Sequence, residues 1–297
     1  MIMIMLREEK TNALGGFEWF VTTQSSPAEG AEPIMYQVRL PLSRTTIDSV
    51  ASLITAHCKK IGSRWRKVTP GRQAVIVLAV LRHDQRLLDM AGGNAVSAST
   101  ISRWVAEVID LLAACAPRLD RVPAKATRAG ADMVLLDGTL VRTQRRSGRD
   151  NRRNYSGKHK AHGLLFLALT DACGNLLWIS AAAPGRASEI TTSRRNKLTT
   201  KLREHGLGAV ADLGFTGLED DPDDPVIITG RRAARCHPIT DAQKQANQLL
   251  ARERAACEHA FADLKNWRIL TRLRMHTRNA TRLLRALLVL TNLEITR

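Results

Sequence analysis

The chain has 297 residues, room for about two domains at roughly 150 residues each, and its 44% hydrophobic content is ordinary for a protein with a buried core. Lysine and arginine number 45 against 28 acidic residues, a net charge of +17, which favours a polyanionic partner through counterion release. Five cysteines without a CxxC pair argue against a zinc ribbon or a secreted disulfide framework, and no apolar run reaches the length of a membrane span, so the reading is a cytoplasmic chain with reduced thiols.

In chain order, residues 1–34 read as a flexible arm. Met1–Leu6 is too short for a signal segment, Ser25–Pro33 has linker chemistry, and Met35 is an alternative start of translation. Residues 35–116 read as a helical domain. Ser43 or Thr45 caps a helix to about Ile61, and Pro70 opens the next, to about His83. A short helix over Asp84–Ala91 stops at Gly92-Gly93-Asn94, and Ser97 caps a helix to about Ala114. Short helix, glycine turn and Ser/Thr-rich helix start form a helix-turn-helix pattern. Ser97, Ser99, Thr100 and Arg103 fall where base and phosphate contacts would lie, and Ile101, Trp104, Val105 and Val108 take the apolar face. A purely structural bundle has the same pattern.

Residues 117–130, with two prolines and clustered basic residues, read as a linker. Residues 131–297 form the second domain. Met133–Leu136 reads as a buried strand ending in Asp137. His162–Thr170 and Leu176–Ala182 read as a hairpin turning at Asp171–Asn175. Ser188 caps a helix to about His205, Ala209–Ala211 is a strand ending in Asp212, and Pro225–Thr229 is another strand. Thr240 caps a long helix to about Trp267, and a last helix covers about Thr277–Ile295. An RNase H-like mixed sheet with flanking helices has this order, α/β in class and here preceded by an all-α domain.

Three carboxylates carry the chemistry. Two aspartates at strand ends and Glu258 on a helix suit two hard cations, which take oxygen ligands. Asp137-Gly138-Thr139 alone is weak, and a phosphatase of DxDGT type would need an aspartate where Leu135 stands. Asp212-Leu213-Gly214 alone is explained as well by an Asx-turn. Arg254, Glu258 and Lys265 fall within about 40° on one helix face, although Arg254–Glu258 also suits an ordinary i,i+4 ion pair. The stretch Arg142–Lys160 carries a net charge of +7 over 19 residues, from Arg142, Arg145, Arg146, Arg149, Arg152, Arg153, Lys158 and Lys160 against Asp150. Tyr155 adds an aromatic. Such a run leaving a carboxylate strand suits a DNA backbone. His159 and His162 lack partners at zinc spacing, so His162 reads as a strand start or phosphate contact.

Leu136-Asp137-Gly138-Thr139, Asn154 through Gly163, Ala211-Asp212-Leu213-Gly214-Phe215 and the Arg254–Glu258–Lys265 spacing together resemble the bacterial insertion-sequence DDE transposases over about residues 36–297. The resemblance implies an RNase H-like catalytic domain behind a helix-turn-helix, with Asp137, Asp212 and Glu258 as the catalytic triad and metal ligands. It implies two Mg²⁺ ions, with Mn²⁺ able to substitute, and double-stranded DNA as substrate: terminal inverted repeats of an element, and target DNA. A homodimer in the synaptic complex and a nucleoid-associated cytoplasmic location follow from it too. Arg254 and Lys265 match the basic positions of the related Y-R-E-K signature, and Ala251 stands where its tyrosine would be. From residues alone, a nuclease without strand transfer and a transposase-derived DNA-binding regulator stay open.

Overall fold

A computed structural model describes residues 19–24, 35–63, 66–144, 149–218, 225–233 and 238–295. The chain divides into two compact units. The first takes residues up to Cys115 with Asn266–Ile269 and Val289–Arg297; the second takes Ala116–Lys265 and Leu270–Leu288.

In the first unit, strands β1 (Trp19–Gln24) and β2 (Met35–Leu40) pair antiparallel. Helices α1 (Arg44–Lys60), α2 (Pro70–His83), α3 (Leu87–Gly92) and α4 (Ala98–Cys115) follow. The unit is therefore not wholly helical, and part of the stretch expected as an arm is a strand; residues 1–18 and 25–34 lie outside the described residues. The cap chemistry is local. Ser43 Oγ accepts from Thr46 N, and Thr69 does the same for Arg72 N with Pro70 at the first turn. Helix α2 is apolar nearly all round, and Gln73–Leu81 are all buried, as a central helix must be. Arg66 makes a two-pronged ion pair with Glu107 of α4, at 3.0 and 3.1 Å.

Ser97 Oγ accepts from Thr100 N at the start of α4, as its sequence implies. Ile101, Trp104 and Val108 are buried, and Val105 is half-buried. Ser97, Ser99 and Arg103 stand exposed beside half-buried Thr100, whose Oγ1 accepts from Arg103 Nη2 at 3.3 Å.

The second unit begins earlier than the sequence implies. The stretch expected as a linker contains α5 (Val122–Arg128), and Leu119, Val122 and Ala126 enter the unit's core. Pro123 falls in the first turn of that helix, where its missing N–H does no harm. Next come β3 (Met133–Arg142), α6 (Arg149–Asn154), β4 (Tyr155–Ser156), β5 (Ala161–Thr170), β6 (Leu176–Ile179) and β7 (Ala183–Pro184). Then α7 (Glu189–Asn196), α8 (Leu198–Arg203), β8 (Gly208–Ala211), β9 (Ile227–Thr229), α9 (Asp241–Lys265) and α10 (Thr277–Ile295) complete the chain.

Among the described residues the sheet has seven strands, along the path β4-β5-β3-β8-β9, with β6 and β7 also on β5. It is mixed: β3 pairs antiparallel with β5 and parallel with β8, which pairs parallel with β9. The unit is thus α/β, a mixed sheet with flanking helices. Strand β3 does not stop at Asp137; its ladder with β5 runs on to Arg142–Gly163. The helix expected from Ser188 to His205 is two, because Lys197 takes a left-handed conformation (φ 53°) between them. The hairpin turn forms as its sequence implies: Asp171 Oδ1 accepts from Cys173 N and Asn175 N, and Gly174 has φ +86°. One core cluster joins Leu136, Leu167, Trp178, Leu198, Ala211 and Phe215 with α5. None of the described helices is long and apolar enough to cross a membrane.

Candidate active site

The register of β3 and β8 builds the centre. Leu136 pairs with Ala211 in the last rung of their parallel ladder, so the next residues, Asp137 and Asp212, stand side by side where the two strands part. Side chains alternate along a strand. Leu136 and Ala211 point into the core cluster, and the aspartates project from the opposite face. Helix α9 comes to that face: Arg254 Nη2 lies 3.7 Å from Asp137 Oδ1, and Cys257, one turn on, is buried.

Both aspartates are held by glycine N–H groups. Gly138 N donates to Asp137 Oδ1 at 2.8 Å, and Gly214 N donates to Asp212 Oδ1 at 2.8 Å. The Asx-turn and the site are thus one structure at Asp212, which caps the short helical turn Leu213–Phe215. Burial, with 16% of the side chain exposed, pushes the Asp137 carboxyl up to about 6. The Gly138 N–H and the Arg254 charge pull it down, and the charges of Asp212 and Glu189 push it further up. At 3.7 Å Arg254 is an ion pair and no hydrogen bond, and its Nε is buried without a hydrogen-bond partner.

Glu189, which carries no motif in the sequence, comes into this centre from the first turn of α7. Its side chain is 13% exposed, and its Oε1 accepts from Lys158 Nζ at 3.0 Å. A Cβ built on Gly138 would stand 3.0 Å from Glu189 Cγ. One built on Gly214 would stand 2.8 Å from Asp212 Oδ1 and closer still to Glu189 Oε2. Lys158 is 61% exposed, and a pair so open to water contributes about 0–1 kcal/mol. Its ammonium loses some hold on its proton to desolvation, yet its pKa is raised, by the Glu189 hydrogen bond and charge and by the charges of Asp212 and Asp137.

Glu258 stands exposed on α9, four residues beyond Arg254. Lys265 at the end of the helix lines a cavity of about 520 Å³ with Gly138, Thr139, Arg142, His159 and Thr271. A neighbouring cavity of about 500 Å³ shares Arg142, His159 and Thr271 and adds Lys160, His162 and Arg272. A basic groove therefore leads away from Asp137 along β3. His159 and Arg272 join it although the sequence does not single them out as binding residues; a histidine beside two lysines in a basic run is the available signal. Tyr155 is exposed and packs edge-on against His162, with ring centres 5.2 Å apart. Arg152 and Arg153 of α6 are exposed, and Arg153 lines a separate cavity of about 220 Å³ with Thr143 and Arg195. Arg145 and Arg146 lie outside the described residues.

The donor chemistry fits a hard divalent cation: carboxylate oxygens on a half-buried face, close enough to repel one another. The shell is not gathered, since among the described residues no three His, Cys, Asp or Glu side chains stand together as a metal site.

A family model described as DDE superfamily endonuclease matches residues 136–292, which span Asp137, Glu189, Asp212 and Glu258. The chain belongs to that family. Nuclease activity follows from membership in the DDE endonucleases. No curated protein matches the chain. Two solved structures align with it at 10% identity and a TM-score of 0.20. One is a pre-cleavage Mos1 transpososome, covering 76% of this chain and 96% of that one. The other is the Mos1 strand transfer complex, covering 77% and 95%. At that TM-score the likeness carries no weight here.

Proposed function

We propose that this DDE endonuclease is a transposase, cutting DNA at the ends of an insertion element and joining the freed 3′ end to target DNA. The observation that carries the reading is the pairing of Leu136 with Ala211, which puts Asp137 and Asp212 side by side at the mouth of a basic groove. Asp137, Asp212 and, from α9, Glu258 would hold two Mg²⁺ ions, with Mn²⁺ able to substitute. When bound, such ions supply Lewis acidity at the phosphodiester and at the attacking oxygen.

The chain's own residues do the rest. Gly138 and Gly214 N–H fix the carboxylate orientation before substrate arrives. Arg254 balances the Asp137 charge. Arg142, Lys160, Lys265 and Arg272 hold the phosphates that run out along the groove; arginine does so through a planar fork that suits phosphate. Arg145, Arg146, Arg152, Arg153, Tyr155, Lys158 and His162 are assigned to the same DNA. Helices α3 and α4 are assigned as a helix-turn-helix that recognises element ends through Ser97, Ser99, Thr100 and Arg103. Water attacks first and the freed 3′-OH second, both in line, so no covalent protein–DNA bond is needed. Synapsis of two ends calls for two copies of the chain.

The test incubates the full chain with a duplex carrying the repeats that flank its gene, in Mg²⁺ or Mn²⁺. A second duplex has a pre-cut 3′-OH end, and a plasmid serves as target. Cleavage of the first and joining of the second are expected. Cleavage without joining reduces the chain to a nuclease, and no cleavage with either ion sinks the reading.

A further inference from the structure

We propose that the cavity of about 220 Å³ beside Thr143 seats one DNA phosphate, held by Arg153, Arg195 and His276. This rests on the reading that DNA lies in the groove along β3. Thr143 lines both this cavity and the second cavity of that groove, so the seat stands at the groove's far end.

Three elements far apart in the sequence bring the cations together. Arg153 comes from α6, Arg195 from α7 and His276 from the residue before α10, all within the second unit. None of the described lining residues is acidic, and neither arginine is in an ion pair among the described residues. The charges are not what joins these elements. Backbone groups do that: Arg186 N donates to Arg153 O at 3.2 Å, and Ala182 N donates to Thr281 Oγ1 of α10 at 3.0 Å. Gly185 closes the wall between them. A Cβ there would stand 2.5 Å from both Asn154 O and Gly163 O, so only glycine lets the chain after β7 approach α6 and β5 this closely. Helix α10 adds the positive end of 19 residues, with no acid in its first turn.

The ligand class follows from charge and size. The cavity is smaller than the roughly 300–1,000 Å³ of pockets that enclose a whole small molecule, so it suits a compact anion whose remainder stays outside. A phosphate within a polymer is such a group, and the planar fork of arginine suits its oxygens. Thr143 is six residues past Asp137, about 20 Å at roughly 3.3 Å per residue. Duplex DNA rises about 3.4 Å per base pair, which puts the seat about six base pairs from the cut. A phosphate gripped there sets how far the duplex advances towards the aspartates.

Neutral phosphates test this. The full chain, without divalent ions, is titrated with the duplex carrying the repeats that flank its gene. In each of a set of duplexes one phosphate is replaced by an uncharged methylphosphonate. In the wild type, replacement about six base pairs from the cut should weaken binding about tenfold, the worth of a hydrogen bond to a charged group. Arg195→Ala should lose about the same with the unmodified duplex, become indifferent to that one replacement and stay sensitive to the others. Arg153→Ala repeats the test from the opposite wall if Arg195→Ala fails to fold in a melting experiment. Duplexes with a 5′-hydroxyl in place of a 5′-phosphate show whether the seated group is a strand end or an internal diester. The proposal is overturned if Arg195→Ala binds as tightly as wild type. It is also overturned if Arg195→Ala binds more weakly yet keeps every sensitivity, which would make these side chains a general field. A wild-type chain that binds no duplex would sink the DNA reading itself.

Discussion

Asp137 lies on β3 and Asp212 directly follows β8, each held by the N–H of a glycine close behind it, whereas Glu258 stands exposed on α9, placed by where that helix lies. The sheet acids are set by register, which does not drift. The helix acid is set by packing of Cys257, Ala260, Phe261 and Leu264, the buried residues of α9. The difference teaches that the two sheet acids are placed before anything binds, and that the reach of Glu258 depends on how the long helix seats.

The largest effect should come from removing charge. Asp137→Asn and Asp212→Asn should each lower DNA cleavage at least about a thousandfold, since metal assistance to a phosphodiester is worth several kcal/mol. Glu258→Gln should match them if the helix acid joins the centre during the reaction. Initial rates on a labelled duplex decide this, and a Glu258→Gln enzyme near wild type would confine the centre to the two aspartates.

A smaller effect tests the sheet half by shape. Gly214→Ala puts a methyl against Asp212 Oδ1 and Glu189 Oε2, and a shift of about 1 Å in a reacting geometry costs roughly 10²-fold. The rate should fall by about that factor with the melting temperature little changed. A Gly214→Ala rate equal to wild type would show that the room over the strand end is idle.

Stability should move the other way. The Asp137 carboxyl is raised to about 6 from an ordinary 3.8, chiefly by burial, so the folded chain binds a proton that the unfolded chain releases between those values. Stability of the cation-free chain should therefore fall as pH rises from about 4 through about 6. Asp137→Asn removes that dependence and should stabilise the chain by about 2–3 kcal/mol at pH 7, since each tenfold change in proton affinity is worth about 1.4 kcal/mol. Denaturant unfolding in chelator at pH 5 and pH 7.5 measures it; an Asp137→Asn chain less stable than wild type at pH 7.5 would refute the strained carboxylate.

The smallest effect concerns the groove. Neutralising Arg142, Lys160 and Arg272 together should flatten the salt dependence of DNA binding by roughly 0.9 log unit for each phosphate no longer neutralised. An unchanged slope would make the groove a solvated face.

Much of the frame is legible in the chain. The helix from Thr277 to Ile295 and the Ser97 and Ser188 caps follow from periodicity and from short oxygen-bearing side chains that satisfy free N–H groups. The first strand reads too short, because an aspartate and a glycine after an apolar run look like a turn, while pairing with β5 carries β3 six residues past Leu136. The linker misleads because its prolines and clustered charges mask a helix, and the arm because the linker chemistry of Ser25–Pro33 hides the strand before it. In the centre, Asp137 and Asp212 can be found because each follows an apolar strand. Glu189 cannot: a glutamate behind a serine cap is what the positive end of any helix favours, and its meaning lies in two distant glycines that face it. The available signal is those glycines, which mark a close approach without saying what approaches.

Because the aspartates are paired through β3 and β8, the chain tolerates changes in length very unevenly. One residue added in β3 ahead of Asp137 turns its carboxylate through to the face of Leu136 and brings its neighbour's side chain into the cleft. The same addition at the Asp171–Asn175 turn alters only a surface connection. Copies of this gene that drift apart should keep the spacing within each strand to the residue, while the distances between strands wander.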